Sequence, residues 1–415
     1  MTIVAGLDIG SSYIRVLIAQ KTEQGFTQLG GAIVPSSGIV SGQITAFDAA
    51  ADAISTAIHR AESAAQQHID NLIISVNRSK AISHQTQHQI KIPSTQITQD
   101  DVRRLISEAK ANIALKPDRQ ILHLNPIGFY IDGKLESKNP VNLHSNSLSI
   151  KMHCLSVDAT AVKNIDAALA YCKIKAHRKV FAPYAAAQSV LTPAESEIGA
   201  IVLDFGDQTI GISIIRQHAL QFAASLPFGI NTVQNDIART LGINSKESYR
   251  LMSRHGNALM APKDANNFIT YYLAGDDPSN HQHQQSASQL NKVINGRVKA
   301  LLEEIEKKLN NAGYDHLHLW HFVLTGGGAN LEGLHMVATE HFKAQVRNGK
   351  PQGVSGVLEG FKLPQGACVM GLVQHYNFHA LQPKFLSAAV KPKRENIDGR
   401  TGYHYQLLNW FKRCF

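Results

Sequence analysis

The alternation of hydrophobic and polar positions at the start of the chain predicts a strand pair, then a helix, then a buried strand. Two apolar runs, Ile3–Ile9 and Tyr13–Gln20, flank a short glycine-containing turn and are typical of paired strands. Apolar residues at helical spacing predict a helix over Phe47–Gln67, and the run Leu72–Val76 predicts a fully buried strand. This part of the chain therefore indicates an α/β core.

The composition changes at about residue 78, where Gln, His, Ser and Lys become frequent and the apolar segments become short. The pattern predicts one helix near Asp100–Asn112 and strands around Ile121–Leu124 and Leu148–Val157. We interpret residues 79–157 as a small inserted α+β subdomain.

The α/β pattern then resumes with predicted helices over Val162–Cys172 and Tyr184–Leu191 and a buried strand over Ile198–Leu203. The segments Gly6–Ala19 and Val202–Ile215 share the order apolar, Asp, apolar, Gly, with Ser or Thr soon after and a second strand behind. A strand–turn–strand unit that appears twice predicts an internally duplicated, two-lobed α/β fold.

The rest of the body is predicted to contain a loop, a long helix and a second glycine turn. His281–Gln289 is predicted as a loop and Gln289–Ala312 as a long polar helix. Phe322–Leu334 predicts a strand, a triple-glycine turn and a helix.

The last thirteen residues predict an amphipathic helix on a tether. Most apolar side chains share one arc of the helical wheel, and His404 lies inside that arc. The arc contains Tyr403, Leu407, Leu408, Trp410, Phe411, Cys414 and Phe415, while Lys412 and Arg413 lie opposite. A linker rich in Lys, Pro and polar residues, 383–402, precedes it. We expect this helix to lie in an anionic membrane interface, with docking on its own domain as the alternative.

Composition supports a folded protein of more than one domain. The chain has 415 residues, 44% of them hydrophobic, and a net charge of +9. We expect no secretory signal and no membrane span, and four scattered cysteines without a CxxC motif favour a reducing cytosol. No basic–aromatic stripe accompanies the positive charge, so nucleic acid is not an expected partner.

Two Asp–x–Gly turns and one triple glycine are the candidate chemistry. Each turn places a carboxylate, Asp8 or Asp204, at a strand end beside backbone amides that can hold phosphate oxygens. Two facing carboxylates can hold a hydrated magnesium ion. The glycines Gly326–Gly328 let the backbone approach a flat or anionic ligand closely.

At these residues the chain resembles the actin/Hsp70/sugar-kinase ATPase superfamily. Asp8–Tyr13 resembles the first phosphate loop, Asp204–Thr209 the second and Thr325–Gly328 the adenosine loop. Within the superfamily the chain most resembles the FtsA family of bacterial division proteins, over nearly its whole length. The motifs that carry this resemblance are ILHLNPIGFYIDG and KNPVNL within Ile121–Leu143, VLTPAESEIG at Val190–Gly199, RHGNAL at Arg254–Leu259, TGGGANLEGL, and the terminal LNWFKRCF.

The resemblance implies a two-lobed actin-like (ribonuclease H-like) α/β fold with the inserted subdomain and a C-terminal amphipathic helix. The implied first lobe comprises 1–78, 158–185 and about 355–382, and the inserted subdomain for polymerisation and recruitment comprises 79–157. The implied second lobe is 186–354, with a partner-binding part at about 230–312. A linker at 383–402 and a membrane helix at 403–415 would follow.

The implied function is that of a cytoplasmic protein that polymerises at the division septum on the inner membrane. It would tether the tubulin-like FtsZ by that protein's acidic tail and recruit later division proteins. Implied partner contacts are Lys292, Arg297 and Lys299, although a solvated helix face would explain Arg297 equally well. Implied membrane contacts are Tyr403, Leu407, Leu408, Trp410, Phe411, Lys412, Arg413 and Phe415. The alternative functions are a phosphotransferase of the sugar-kinase branch and an actin-like protein of pilus assembly.

ATP and Mg²⁺ are the implied ligands, with Asp8 and Asp204 holding the metal through water and no catalytic residue assigned. The implied nucleotide contacts are Asp8, Gly10, Ser11, Ser12, Asp204, Gly206, Thr209, Gly229, Gly326, Gly327 and Gly328. The loops depart from the family pattern, because Tyr13 stands where a lysine is common and Asp207 and Gln208 replace glycines. We therefore expect weakened or lost triphosphate binding and no efficient ATPase activity, unless Asp207 points outward and the remaining amides suffice.

Overall fold

The computed structural model of the protein describes residues 2–78, 80–137, 139–275 and 282–377. The predicted linker (383–402), the predicted terminal helix (403–415) and residues 378–382 of the predicted first lobe lie outside the described residues.

The described strands lie in three main sheets and two short strand pairs. In chain order they are β1 Ile3–Ile9, β2 Tyr13–Thr22, β3 Gly25–Pro35, β4 Ile39–Val40, β5 Gln43–Ile44, β6 Leu72–Val76, β7 Ile82–Lys91, β8 Arg119–Ile131, β9 Leu135–Ser137, β10 Ser147–Asp158, β11 Ala176–Phe181, β12 Ala200–Phe205, β13 Ile210–Arg216, β14 Ala219–Leu226, β15 Phe268–Tyr271, β16 His283–Ser286, β17 His321–Thr325, β18 Val346–Asn348 and β19 Val354–Ser355.

The helices cover the sheets and build one helical subdomain. They are α1 Phe47–Ala65, α2 Gln99–Ala111, α3 Ala159–Tyr171, α4 Ala182–Val190, α5 Pro193–Ile198, α6 Asn231–Leu241, α7 Ser245–His255, α8 Ala287–Asn310, α9 Leu334–Phe342, α10 Glu359–Lys362 and α11 Ala367–His375. Short 3₁₀ turns occupy Pro262–Asn266, Leu317–Leu319, Gly327–Asn330 and Pro364–Gly366. Within the described residues, no helix combines the length and the apolar character needed to cross a bilayer.

The first lobe is a six-stranded sheet in the order β11-β6-β1-β2-β3-β19. The central strand β1 pairs antiparallel with β2 and parallel with β6, and it is buried on both faces. Helix α1 packs on one face, while α11 packs on β1 and crosses α4. Apolar residues of β1, β2 and β6 form the centre of the core. Because β1 and β6 are buried on both faces, consecutive residues are apolar, which explains the long apolar runs in the sequence.

The second lobe repeats this plan in a five-stranded sheet, β14-β13-β12-β17-β18. Its central strand β12 pairs antiparallel with β13 and parallel with β17, as β1 does with β2 and β6. This confirms the predicted repeat of the strand–turn–strand unit. Helices α6, α7 and α8, together with the β15–β16 hairpin, form the part of this lobe that overhangs the cleft.

The inserted subdomain is a four-stranded sheet, β7-β10-β8-β9, with α2 packed on it around a core of its own. Helix α2 begins with a capping box in which Thr98 and Asp101 each bond the other's backbone N–H. The subdomain meets the second lobe at β14, where Ser83 Oγ accepts a hydrogen bond from Ala223 N at 3.2 Å. An ion pair between Arg78 and Asp158 joins its two connections to the first lobe.

Four predicted elements differ from the structure. The predicted strand over Ile198–Leu203 begins only at Ala200, because Ile198 ends α5 and Gly199 turns the chain with a φ of 125°. The predicted loop over His281–Gln289 is wrong in its described part: β16 (His283–Ser286) pairs with β15, and α8 begins at Ala287. The strand was not predicted because its residues are mostly Gln and His, whereas the prediction relied on alternating apolar residues.

The strand-like piece at Ile121–Leu124 belongs to the much longer β8. Pro126 and Gly128 interrupt the apolar pattern there, and a bulge opposite Lys151 and Met152 accommodates the proline. The triple glycine is followed first by a 3₁₀ turn, so α9 starts later than the sequence predicts, at Leu334.

Candidate nucleotide-binding cleft

The two strand–turn–strand units face each other across a cleft between the lobes, with a cavity volume of about 610 Å³. The turns that follow β1 and β12 and the triple glycine after β17 line this one cavity, and β12 and β17 are adjacent parallel strands. The predicted nucleotide contacts that line it are Asp8, Gly10, Ser11, Ser12, Asp204, Gly206, Thr209, Gly326, Gly327 and Gly328. Gly229 does not line the cavity. It packs behind it, and a Cβ there would be 2.6 Å from the carbonyl oxygen of Gly206.

Asp8 and Asp204 both face this cavity, as the sequence predicts for a shared hydrated ion. Burial raises the pKa of Asp204 to about 7; the charge of Asp8 adds to the shift, and Arg15 opposes it. Within the described residues no group of three or more His, Cys, Asp and Glu side chains is arranged to enclose a metal. Two carboxylates of this kind fit a magnesium ion that keeps most of its water.

Arg15 and Cys368 accompany the carboxylates and were not among the predicted site residues. Arg15 lies opposite Asp8 in the β1–β2 register, with Nη1 4.0 Å from Asp8 Oδ2. Burial and the nearby Asp8 and Asp204 raise the pKa of the Cys368 thiol well above its ordinary value. The thiol therefore stays protonated, and it hydrogen-bonds Asp8.

The glycines of the two phosphate turns are required by the backbone itself. A Cβ on Gly10 would lie 2.6 Å from the carbonyl oxygen of Tyr13, and one on Gly206 2.8 Å from that of Thr209. In the triple glycine, Gly326 has a φ of 81°, a conformation that favours glycine. Gly328 packs on Phe205, and a Cβ added to Gly328 would lie 2.9 Å from the Cβ of Phe205. At Gly327 the nearest atom to an added Cβ is Gln365 Cβ at 3.9 Å, so this glycine lines the cavity without close contacts.

The second phosphate loop carries side chains where glycines were expected, and both have a structural consequence. Asp207 lines the cavity and is half-buried, and burial raises the pKa of its carboxyl group. Gln208 reaches across the cleft, where its Oε1 accepts a hydrogen bond from Ser41 N at 2.8 Å. Next to it, Thr209 Oγ1 accepts one from Asn77 Nδ2 at 2.7 Å. The loop is thus tied to the first lobe.

The far end of the cavity is lined by the helical part of the second lobe. Gln234 of α6 and Tyr249, Met252 and Arg254 of α7 lie there, opposite the triple-glycine turn. This mixture of aromatic, thioether and polar groups can hold a flat heterocycle. Sequence reasoning did not assign these residues; the only available signal was the RHGNAL motif that begins at Arg254.

The three predicted partner contacts all lie on α8 but do not share one face. Lys292 and Lys299 are exposed and seven residues apart, which places them one above the other. Arg297 lies on the opposite flank, where its Nε is 2.5 Å from Asp236 Oδ2 of α6. The predicted membrane contacts, Tyr403 to Phe415, lie outside the described residues.

Comparison with known proteins agrees with the fold and the insertion. The family model for cell division protein FtsA matches residues 201–371, and the model for the SHS2 domain inserted in FtsA matches residues 79–156. Together they cover more than half of the chain. The protein is 28% identical to cell division protein FtsA of Agrobacterium fabrum over 100% of this chain and 95% of the relative. It is 29% identical to that of Escherichia coli over 94% of both chains.

Solved structures resemble it at lower identity and establish the fold. The PilM–PilN type IV pilus biogenesis complex aligns with a TM-score of 0.62 at 14% identity, covering 90% of this chain and 98% of the other. MreB5 of Spiroplasma citri bound to ADP aligns with a TM-score of 0.57 at 12% identity, covering 92% and 98%. The predicted two-lobed actin-like fold with an inserted subdomain is confirmed, and the chain belongs to the FtsA family of cell division proteins.

Proposed function

We propose that this protein is an actin-like component of the bacterial division machinery that assembles at the septum on the cytoplasmic face of the inner membrane. Membership of the FtsA family, over both lobes and the inserted subdomain, is the observation that carries this proposal. Membership of this family does not favour a sugar phosphotransferase or a pilus-assembly protein. The pilus complex in particular shares only the fold, at 14% identity.

The membrane role rests on the amphipathic sequence at 403–415. Burying each large apolar side chain contributes about 1.5–3 kcal/mol, and each Lys or Arg near anionic lipid adds about 1 kcal/mol. A helix this short must order as it binds, which costs part of that gain. One tail should therefore bind reversibly, and a filament that presents many tails should bind firmly.

Liposome co-sedimentation tests the tether. We expect the full chain to pellet with anionic vesicles and a chain that ends at Lys384 to remain in the supernatant. Trp410→Glu places a charge in the apolar arc and should abolish pelleting, while Asn409→Glu, on the polar side, should reduce it only slightly. Equal pelleting of the full and shortened chains would refute the tether.

The partner role rests on the basic residues of α8. The acidic tail of FtsZ would meet Lys292 and Lys299 on one face, or Arg297 on the flank that it shares with Asp236. Fluorescence anisotropy with a labelled FtsZ tail peptide separates these two surfaces. We compare Arg297→Glu, the Lys292→Glu/Lys299→Glu pair, and Lys307→Glu, which makes the same charge change near the end of α8. Unchanged affinity in both test variants would exclude α8.

The cleft is proposed to bind adenine nucleotide with Mg²⁺ held by Asp8 and Asp204, with the phosphate end weakened by Asp207. The ion would offset phosphate charge, and the backbone of the two turns would orient the phosphates. Calorimetry with ATP and magnesium tests the weakening: micromolar affinity together with measurable turnover would contradict it.

A further inference from the structure

The phosphate end of the cleft contains an excess of carboxylates and one enclosed cation. Asp8, Asp204 and Asp207 line this end together with Arg15, which is 4.0 Å from Asp8 and interacts electrostatically with Asp204. Arg254, the other Lys or Arg that lines the described cavity, is exposed on α7 near the far end. Among the side chains that line the described cavity, a ligand that carries phosphate groups would therefore meet Arg15 as its enclosed basic group, beside any magnesium ion held by Asp8 and Asp204.

The strand register places Arg15 there. Residues 13 and 15 of β2 project on the same face, and Arg15 stands directly across from Asp8 on β1. Its side chain is only 14% exposed, and the guanidinium carbon lies 5.4 Å from the centre of the Tyr13 ring. The aromatic ring thus supports the cation from one side.

Arg15 has hydrogen-bonding capacity to spare. The 4.0 Å separation from Asp8 is an electrostatic contact and is too long for a hydrogen bond. Its Nε is buried and has no hydrogen-bond partner within the described part of the chain. A guanidinium has five N–H donors in a planar fork, which suits two oxygens of one phosphate group.

The described part of the second lobe has no arginine at the matching position. Gly211 is the residue opposite Asp204 in the matching register of β12 and β13. Pro183 occupies the space that a side chain would need there, since its Cβ would be 2.7 Å from an added Cβ. The internal repeat therefore supplies an arginine from the first lobe only.

We propose that Arg15 is the phosphate-recognising side chain of this cleft and performs the task of the lysine that the family pattern places at Tyr13. The inference rests on the proposed nucleotide binding and assigns the basic side chain that would contact its phosphates. Arg15 would contact the phosphates and would have no part in holding the nucleoside. Asp8 pairs with it electrostatically when no anion is present.

The test compares ligands with and without phosphate. Calorimetry with ADP and with adenosine, each in the presence of magnesium, is performed on the full chain and on Arg15→Ala and Arg15→Lys. We expect Arg15→Ala to weaken ADP binding about 10- to 100-fold and to leave adenosine binding unchanged. Arg15→Lys should recover part of the loss, because it keeps the charge but lacks the fork.

Lys21→Ala is the matched control. Lys21 lies on the same strand, outside the cleft, over the ring of Tyr376. The Lys21→Ala protein should bind ADP with the same affinity as the unchanged protein. Thermal unfolding checks that every variant is folded. If Arg15→Ala does not fold, Arg15→Lys and Arg15→Gln give the same comparison, with and without the positive charge.

The outcomes separate this inference from the broader one. If the unchanged protein binds ADP and Arg15→Ala binds it equally well, Arg15 has no role in phosphate recognition, although nucleotide binding stands. Equal losses of ADP and adenosine would show a structural role and would also overturn the inference. If the unchanged protein binds neither ligand, nucleotide binding itself fails and the assignment of Arg15 fails with it.

Discussion

At the scale of single residues, the half-buried carboxylate of Asp207 bears directly on the proposed phosphate binding, because it lines the cavity. A like charge several ångströms away costs about 2–3 kcal/mol at an effective dielectric constant of about 20. Asp207 is half-buried, so water screens part of this repulsion. We expect Asp207→Asn, which keeps the shape and removes the charge, to raise ADP affinity about 5- to 50-fold.

Calorimetric titration measures this change. Asp48→Asn, a substitution at the start of α1, is the control and should leave the affinity as it is. An Asp207→Asn protein with unaltered ADP affinity would mean that the carboxylate turns away from the phosphates.

Glu195 provides a pH-dependent contribution to stability outside the cleft. Its carboxylate accepts hydrogen bonds from Arg347 Nε and Nη2, each at 2.6 Å, and from Thr192 N at 2.8 Å. Burial alone would raise the pKa of Glu195, but these hydrogen bonds outweigh it and lower the pKa to about 2. Since the folded-state pKa lies below the ordinary value, the stabilisation is present above about pH 4.5 and is lost as pH falls toward 2.

We therefore expect Glu195→Gln to lower the free energy of unfolding by about 1–3 kcal/mol at pH 7. Below pH 4 the difference from the unchanged protein should shrink. Urea unfolding at pH 7, 4 and 3 measures both effects, with Glu23→Gln in the exposed β2–β3 turn as control. A difference that stays constant with pH would exclude this linkage.

At the scale of elements, the contact between α4 and α11 depends on one glycine. A Cβ at Gly371 would overlap the backbone carbonyl oxygen of Ala185, which cannot move without shifting α4. Gly371→Ala should therefore cost about 3 kcal/mol or more, as severe overpacking does. Gly296→Ala on α8 is the opposite case, because nothing lies within 4 Å of an added Cβ.

Gly296→Ala should be neutral or stabilise the protein by up to about 1 kcal/mol, since alanine favours the helix. Chemical denaturation of both variants provides the measurement. Similar stability changes in the two would show that α11 can move away from α4 at little cost.

The elements predicted well from the sequence are those whose pattern is local. β1 and β6 have their predicted bounds, because strands buried on both faces consist mostly of apolar residues. β16 was missed because its polar residues lie in a half-exposed hairpin. The two Asp–x–Gly turns were predicted as site elements from their Asp and Gly spacing, which local backbone geometry dictates, and both line the cleft. Arg15 and Cys368 were not predicted as site residues. The register of β1 and β2 brings Arg15 to the cleft, and helix α11, near the end of the described chain, brings Cys368 there.

At the scale of the whole molecule, hydrogen bonds link the lobes at the cleft, in addition to apolar contacts that place Val202 and Val323 of the second lobe in the core of the first. Gln208 and Thr209 of the second lobe bond Ser41 and Asn77 of the first. Farther out, Ser83 of the inserted subdomain bonds the backbone of β14. Gln208 and Thr209, which replace or follow the expected glycines, therefore add hydrogen bonds between the lobes in the same loop that we propose weakens phosphate binding.

Removing one of these bonds should loosen the closure without unfolding either lobe. In Gln208→Ala the Ser41 amide loses its acceptor, and a single hydrogen bond of this kind contributes about 0.5–1.5 kcal/mol. We expect faster hydrogen exchange at Ser41 and in the β4–β5 hairpin around it, while the cores of both sheets keep their protection. Hydrogen-exchange mass spectrometry resolves this difference, with Gln24→Ala in the β2–β3 turn as control. Because Ser41 is the donor, unchanged exchange at this amide would mean that water or another acceptor replaces Gln208 and that the side chain does not hold the lobes together.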